Sequence, residues 1–139
     1  MTSENKPKLG YLGLGLMGSQ MSKRLVDSGY QVTGFDPLAE KLEAAVGNGV
    51  IAADSPRAVA EASDIVLACV VTTPALTEAM LGKNGIIEGG GADKIFLDHS
   101  TTIADKTRDM AERLKVETGM GWVDAPVSGG PPAAGNGKL

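Results

Sequence analysis

The stretch YLGLGLMGSQM, residues 11–21, carries glycines at Gly13, Gly15 and Gly18 between an apolar run and a segment with helical spacing. So many absent side chains constrain the fold strongly. In a strand-turn-helix unit the first glycine permits a tight turn and the second lets the backbone touch a pyrophosphate. The third lets the helix pack close to the sheet, its free N–H groups and positive dipole end facing the phosphates. A glycine-rich turn alone is weak evidence. Here it follows an expected strand, Lys8–Leu12, and opens an expected helix, Met17–Ser28, with Met17, Met21 and Leu25 four apart and Gly29 as its stop. The next strand, YQVTGFD, ends in Asp36, about 20 residues beyond the glycines, where a carboxylate accepts the adenosine-ribose hydroxyls of NAD and repels a 2′-phosphate. Its plainer role is to cap the helix that Pro37 opens, running to Val46. No arginine follows Asp36 closely, so NAD is expected over NADP, with Lys41 the one residue that softens the preference.

The alternation continues. Ser55 and Pro56 make an N-cap and first residue for a short helix. DIVLACVV, residues 64–71, is the least polar strand; Thr72 to Pro74 breaks it, and Ala75–Leu81 is helical by composition. KIFLD and GWVDAPV read as two further strands. Between them, TTIADKTRDMAERLKVETG is the longest amphipathic segment, with Ile103, Thr107, Met110 and Leu114 on one face and Thr102 with Asp105 as a short capping box. Unbroken apolar strands alternating with helices predict a doubly wound α/β fold with a mainly parallel, Rossmann-type sheet. No repeat or linker is visible before about residue 125. Beyond it, APVSGGPPAAGNGKL suggests no completed strand or helix.

Bulk properties narrow the function. The 139 residues are read as one domain, too few for a two-domain enzyme. Thirteen basic against seventeen acidic side chains, scattered and summing to −4, give no basic patch for nucleic acid or anionic lipid. The longest apolar run, Ile65–Val71, is far below the ~20 residues of a membrane helix. The polar start MTSENKPK has no apolar stretch to act as a secretory signal, and the lone Cys69 suits a reducing compartment, so a cytoplasmic protein is expected. No metal-ligating pattern is present.

Two later stretches fall at expected carboxyl ends of strands, where open α/β sheets bind ligands. In DHSTT, residues 98–102, the Ser100 and Thr101 hydroxyls would face the nicotinamide end of the cofactor. In DAPVSGG, residues 124–130, two glycines expose N–H groups beside the Ser128 hydroxyl and make a small nest for a carboxylate, although a flexible loop is the simpler reading.

GYLGLGLMGSQM, DHSTT and above all DAPVSGG resemble the β-hydroxyacid dehydrogenases, the group containing 3-hydroxyisobutyrate, tartronate semialdehyde and L-threonate dehydrogenases. The likeness runs from Lys8 to the last residue. The 6-phosphogluconate dehydrogenases share a serine-glycine-glycine loop but carry an asparagine-containing segment where this chain has Asp98 to Thr101, and rank second. The resemblance implies that Gly13, Leu14, Gly15, Leu16, Met17 and Gly18 hold the pyrophosphate and Asp36 the ribose. It places Val70 and Val71 along the cofactor, where the family often has leucine-proline, and Thr101 near the nicotinamide. It assigns Ser128, Gly129 and Gly130 to the substrate carboxylate. The implied reaction is NAD-dependent oxidation of a short 3-hydroxy acid, or its reverse, with a lysine handling the hydroxyl proton. That lysine lies beyond the Ser-Gly-Gly loop in the family and is expected after Leu139, as is an all-helical second domain that usually builds a homo-oligomer; no catalytic residue is expected in this chain. His99, beside Asp98, reads as a solvent-facing loop histidine rather than a general base, and Cys69 as a small core residue.

Two functions are therefore carried forward: the N-terminal part of a dehydrogenase, inactive alone, and a non-catalytic dinucleotide-binding or interaction module. The first is favoured because Ser128 to Gly130 have no obvious purpose in a pure cofactor binder. The isolated chain is expected to be marginally stable or to associate, through an edge strand near Trp122 and one uncovered apolar face, and NAD to raise its melting temperature.

Overall fold

A computed structural model describes residues 5–139; the first four residues of the polar start lie outside the described residues. Six strands form one parallel sheet in the order β3-β2-β1-β4-β5-β6. They are β1 (Leu9–Leu12), β2 (Val32–Phe35), β3 (Ile51–Ala52), β4 (Ile65–Ala68), β5 (Ile95–Asp98) and β6 (Gly121–Asp124). Six helices connect and cover them: α1 (Leu16–Asp27), α2 (Ala39–Gly47), α3 (Pro56–Glu61), α4 (Thr73–Leu81), α5 (Ala104–Thr118) and α6 (Gly130–Asn136). The chain runs outward from β1 to one edge, returns to β4 beside β1, and runs to the other edge. That reversal leaves a crevice above the carboxyl ends of β1 and β4. No helix among the described residues is long and apolar enough to cross a membrane.

Two apolar clusters, one on each sheet face, confirm the doubly wound arrangement. Tyr11, Leu14, Met21, Val32 and Ala134 pack under α1, α2 and α6. Leu12, Val66, Phe96, Met110 and Leu114 pack under α3, α4 and α5. Every β1 residue is buried, as the centre of a sheet covered on both faces requires. Phe96, fully buried, meets the Trp122 ring edge-on at 4.6 Å between centroids. Truncating such a core aromatic costs about 3–5 kcal/mol.

Most elements lie where the pattern predicts them, with shorter strands. Ser55 caps α3 by accepting from Ala58 N at 3.1 Å. Four details differ. The expected break at Thr72 to Pro74 is the start of α4: Thr72 is its N-cap, accepting from Ala75 N at 3.2 Å, and proline is tolerated in a first turn that needs no N–H. Thr102 does not cap α5. Ile103 occupies that position, its N–H donates to Thr73 Oγ1, and Thr102 turns its hydroxyl to Thr107. Ile103 is therefore 56% exposed rather than on the buried face with Thr107, Met110 and Leu114. The short strand Ile51–Ala52 has too little pattern to be read from the sequence.

The tail is the largest correction. Beyond Asp124 the sixth strand stops rather than continuing to Val127, since Pro126 has no N–H for a ladder. Residues 130–136 then form α6, where no element is expected. Its prolines fall in the first turn, where a missing N–H costs nothing, and Ala134 is buried against the α1 side of the sheet. Gly137 closes it in the left-handed conformation.

β6 is an edge strand, as expected, but Trp122 faces the covered side. The open face lies opposite, where Val123 is 46% and Ile95 43% exposed, with Leu97 between them in register. Val123→Lys should leave the melting temperature within about 2 °C, because surface substitutions are usually within ±0.5 kcal/mol. It should lower any concentration-dependent self-association of the 139-residue chain in sedimentation velocity, whereas equal association of both proteins would place the sticky surface elsewhere.

Candidate functional site

The site is built around the turn from β1 into α1. Gly13 has φ +86°, a conformation L side chains rarely adopt, and a Cβ there would run into the Cys69 carbonyl. A Cβ on Gly18 would collide with the Gly13 carbonyl oxygen, so the first turn of α1 lies directly on the loop. Gly15 is the N-cap of α1 and supplies no side chain to bond the first-turn N–H groups, and no acid stands in that turn. Those N–H groups and the positive helix end are left for a ligand anion. On its open side a Cβ on Gly15 would meet only Lys41 Nζ, at 3.6 Å. The loop thus has the close backbone approach and uncapped donors that a pyrophosphate requires.

Asp36 stands one residue past β2, 7% exposed. Its Oδ2 accepts from Leu14 N at 2.8 Å and its Oδ1 from Leu38 N at 2.9 Å. It therefore cross-links the glycine loop to the start of α2. It does not cap that helix, for Leu38 is the N-cap. Each oxygen keeps lone-pair capacity, and the residue lines the cleft, so the carboxylate can accept two vicinal hydroxyls.

A cleft of about 660 Å³ joins these parts, within the range of small-molecule and cofactor sites. Gly13, Gly15, Leu16, Met17, Gly18 and Asp36 line one part of it; Val70, Val71 and Thr101 line another. Leu14 is the exception among the expected cofactor residues: its side chain is core, 3% exposed, and only its N–H reaches Asp36. Sequence reasoning passed over Phe35, Leu38 and Val127, which also line the cleft. Their signal was position alone, since each adjoins the carboxyl end of a strand or the loop after it.

Beyond β4 and β5 the backbone is clamped. Ser100 Oγ accepts from Val70 N at 2.9 Å, and Ser100 N donates to Asp98 Oδ1 at 2.9 Å. The Ser100 hydroxyl, 3% exposed, is thus occupied with the Val70 backbone, while Thr101 is the exposed member of the pair. Val71 is 93% exposed at the cleft mouth, so the turn without proline is held by Ser100.

Two expectations, for His99 and Cys69, need correction here, and a third group of residues sits apart. His99 is half-buried and lines the cleft, its Nδ1 2.6 Å from the Ala125 carbonyl. The ring bridges the ends of β5 and β6, whose register places Asp98 beside Asp124. Cys69 follows β4 rather than lying within it, and is half-buried at the cleft wall. Ser128 is exposed, and of the DAPVSGG loop only Val127 lines the cleft. Gly129 and Gly130 both have positive φ and lead into α6, so Ser128 to Gly130 form a separate lip.

Burial sets the proton chemistry. Asp98 is fully buried, with Oδ2 unpartnered among the described residues. Desolvation raises its carboxyl above the usual range; the Ser100 bonds and His99 lower it in part, while Asp124 adds to the rise. The Cys69 thiol is pushed up by burial and then by Asp98, which disfavours a thiolate nucleophile. The Tyr11 phenol, buried and donating to Met21 Sδ at 3.0 Å, is also raised by desolvation.

Comparison with known proteins places the site in context. Residues 8–139 match the family described as the NAD binding domain of 6-phosphogluconate dehydrogenase. The 2-hydroxy-3-oxopropionate reductase of Escherichia coli is 37% identical over 134 residues, covering 95% of this chain and 44% of that protein. The cytokine-like nuclear factor N-PAC of Pongo abelii is 36% identical over 132 residues, 95% of this chain and 24% of that protein. The solved structure of Mycobacterium tuberculosis 3-hydroxyisobutyrate dehydrogenase with L-serine superposes with a TM-score of 0.83 at 33% identity, covering 94% of this chain and 43% of that one. The chain thus spans less than half the length of these relatives.

Two outcomes follow from this geometry. Gly18→Ala should destabilise the fold by about 1–3 kcal/mol in denaturant unfolding, the usual cost of overpacking, because backbone rather than a flexible side chain blocks the new methyl. A raised carboxyl binds its proton in the folded state at pH values where the unfolded chain has lost it. Asp98 therefore supports stability at low pH and loses that contribution as pH rises through its raised pKa. Asp98→Asn should flatten this decline, measured as melting temperature against pH; an unchanged slope would mean that Asp98 titrates normally.

Proposed function

The chain belongs to the family of the NAD binding domain of 6-phosphogluconate dehydrogenase, and we propose that it is the cofactor-binding part of an NAD-dependent dehydrogenase of short 3-hydroxy acids. The observation that carries this is the joining, in one cleft, of an uncapped glycine-headed helix end with a carboxylate oriented by two backbone N–H bonds. In this reading Gly13, Gly15 and Gly18, with the N–H groups of Leu16 and Met17, hold the pyrophosphate. Asp36 accepts the adenosine-ribose hydroxyls. Its negative charge at that place disfavours a 2′-phosphate and so favours NAD over NADP.

Val70, Val71 and Thr101 would hold the nicotinamide. When bound, it supplies the acceptor for a hydride from the carbinol carbon of the substrate. Ser100, tied to Val70, keeps the cleft wall in place, and the exposed Thr101 hydroxyl would orient the nicotinamide. Ser128, Gly129 and Gly130, on their separate lip, would take the substrate carboxylate. A lysine, which the resemblance places beyond the Ser-Gly-Gly loop, would take the proton of the substrate hydroxyl. The names of the Escherichia coli reductase and the Mycobacterium tuberculosis dehydrogenase support a short, three- or four-carbon acid as the substrate. The name of the N-PAC relative supports the second reading, a binding module without hydride transfer.

Calorimetric titration of the chain separates the possibilities at its cofactor end. NAD should bind and raise the melting temperature, with NADP at least tenfold weaker. Asp36→Ala should weaken NAD by about tenfold and narrow the NAD to NADP ratio, while lowering stability by about 1–3 kcal/mol through the orphaned Leu14 N–H. NADP binding as tight as NAD to the unaltered chain would overturn the preference.

A further inference from the structure

His99 stands one residue past β5 and lines the same cleft as Val70, Val71 and Thr101. Its backbone is held on both sides: His99 N donates to the Ala68 carbonyl at 2.8 Å, and Ala125 N donates to the Asp98 carbonyl at 2.8 Å. Across that join Nδ1 of the ring lies 2.6 Å from the Ala125 carbonyl oxygen. A carbonyl oxygen only accepts, so Nδ1 carries a proton whether the imidazole is neutral or charged. The tautomer is thereby fixed. Nε2 has no hydrogen-bond partner among the described residues, and it is the atom whose proton comes and goes.

A strut between β5 and β6 needs the Nδ1 proton alone, and an asparagine amide at the same place would supply an equivalent donor. An imidazole adds a second nitrogen that changes character between about pH 5 and 8: a lone pair on the neutral ring, an N–H on the charged one. The change occurs without moving the ring, because the Ala125 bond is kept in both forms. Other titratable groups surround it. Cys69 lies on the cleft wall after β4, where burial and Asp98 keep its thiol neutral. Asp98 precedes His99 and is fully buried, and Asp124 stands beside Asp98 in register on β6. Asp36 and Lys41 line the part of the cleft next to the glycine loop. At the part lined by Val70, Val71 and Thr101, His99 is the one basic side chain among the described residues.

A nicotinamide has two charge states. The oxidised ring is a cation, and accepting a hydride, two electrons with one proton, neutralises it. The adenosine and pyrophosphate parts of NAD+ and NADH are identical, so only a group at the nicotinamide end can tell the two forms apart. We propose that His99 is a specificity-determining residue for the redox state of the cofactor, its Nε2 favouring the oxidised ring when it bears a lone pair and repelling it when it bears a proton. This rests on the dinucleotide-binding reading above, with the nicotinamide beside Val70, Val71 and Thr101. Lowering the pH then weakens NAD+ and leaves NADH nearly unchanged, which moves the preference of the chain toward the reduced cofactor. Loss of a proton from Asp98 would act with the same sign, by attracting the oxidised ring as pH rises, so substitution at His99 has to separate the two.

The test is calorimetric titration of the 139-residue chain, and of its His99→Asn and His99→Phe variants, with NAD+ and with NADH at about pH 6 and about pH 8, a span over which an imidazole changes charge. In the unaltered chain the ratio of NAD+ to NADH affinity should fall by about three- to tenfold at the lower pH, the scale of one unit charge acting across a partly solvated cleft. His99→Asn keeps an N–H for Ala125 and cannot titrate, so its ratio should be the same at both pH values. His99→Phe also gives a level ratio, with a lower melting temperature because the Ala125 carbonyl loses its donor. A pH-dependent ratio that survives in His99→Asn assigns the effect to the neighbouring carboxyls and overturns the role of His99. A level ratio in the unaltered chain, with both ligands bound, overturns it too while dinucleotide binding stands. If the unaltered chain binds neither ligand, both readings fall.

Discussion

The close approach of Gly18 to the Gly13 carbonyl is the constraint on which the rest of the molecule depends. It brings the first turn of α1 onto the end of the central strand, which aims the uncapped helix end into the crevice between β1 and β4. The same approach places Met21 beneath Tyr11, whose hydroxyl bonds its sulfur, and so ties the ligand loop to the buried core. A cradle supported in this way needs little reorganisation when an anion arrives.

Asp36 carries this order sideways. By accepting from Leu14 and Leu38 it joins the glycine loop to α2, and thereby decides where Lys41 can stand. One carboxylate both braces the cleft and presents acceptors to it. At the other end Asp98 and Ser100 play the corresponding part for the loops after β4 and β5. There, however, the polar groups point mainly inward: Ser100 serves Val70, His99 serves Ala125, and Thr101 alone offers an exposed hydroxyl. The ends differ because the first presents the uncapped N–H groups of α1, whereas at the second the polar groups are bound within the fold.

Much of this was legible in the residues. Gly13, Gly15, Gly18 and Asp36 could be placed at one cleft because their signals are local: a turn angle, a close approach, a charge at a strand end. Segments with strong periodicity, such as Met110 and Leu114 on α5, were legible for the same reason. Several of the errors share one cause, which is a partner distant in sequence. Thr102 was displaced as a cap because Thr73, thirty residues from Ile103, supplies the bond to that N–H. His99 turned out to face the cleft because Ala125 holds its ring. The helix at residues 130–136 escaped notice because its prolines and glycines read as a loop, although α1 gives it a surface to pack on.

The sequence by itself determined the fold class and the ligand end of the sheet, since helix and strand periods and the glycine spacing follow from steric rules that act within a few residues. Tertiary structure decided which polar groups face the cleft and which are consumed in holding it open. It turned Ser100 inward, left Leu14 with only its N–H at the site, and set Lys41 against Gly15. Those outcomes depend on hydrogen bonds and contacts between segments twenty or more residues apart, and distance in space is the one quantity that spacing along the chain does not encode.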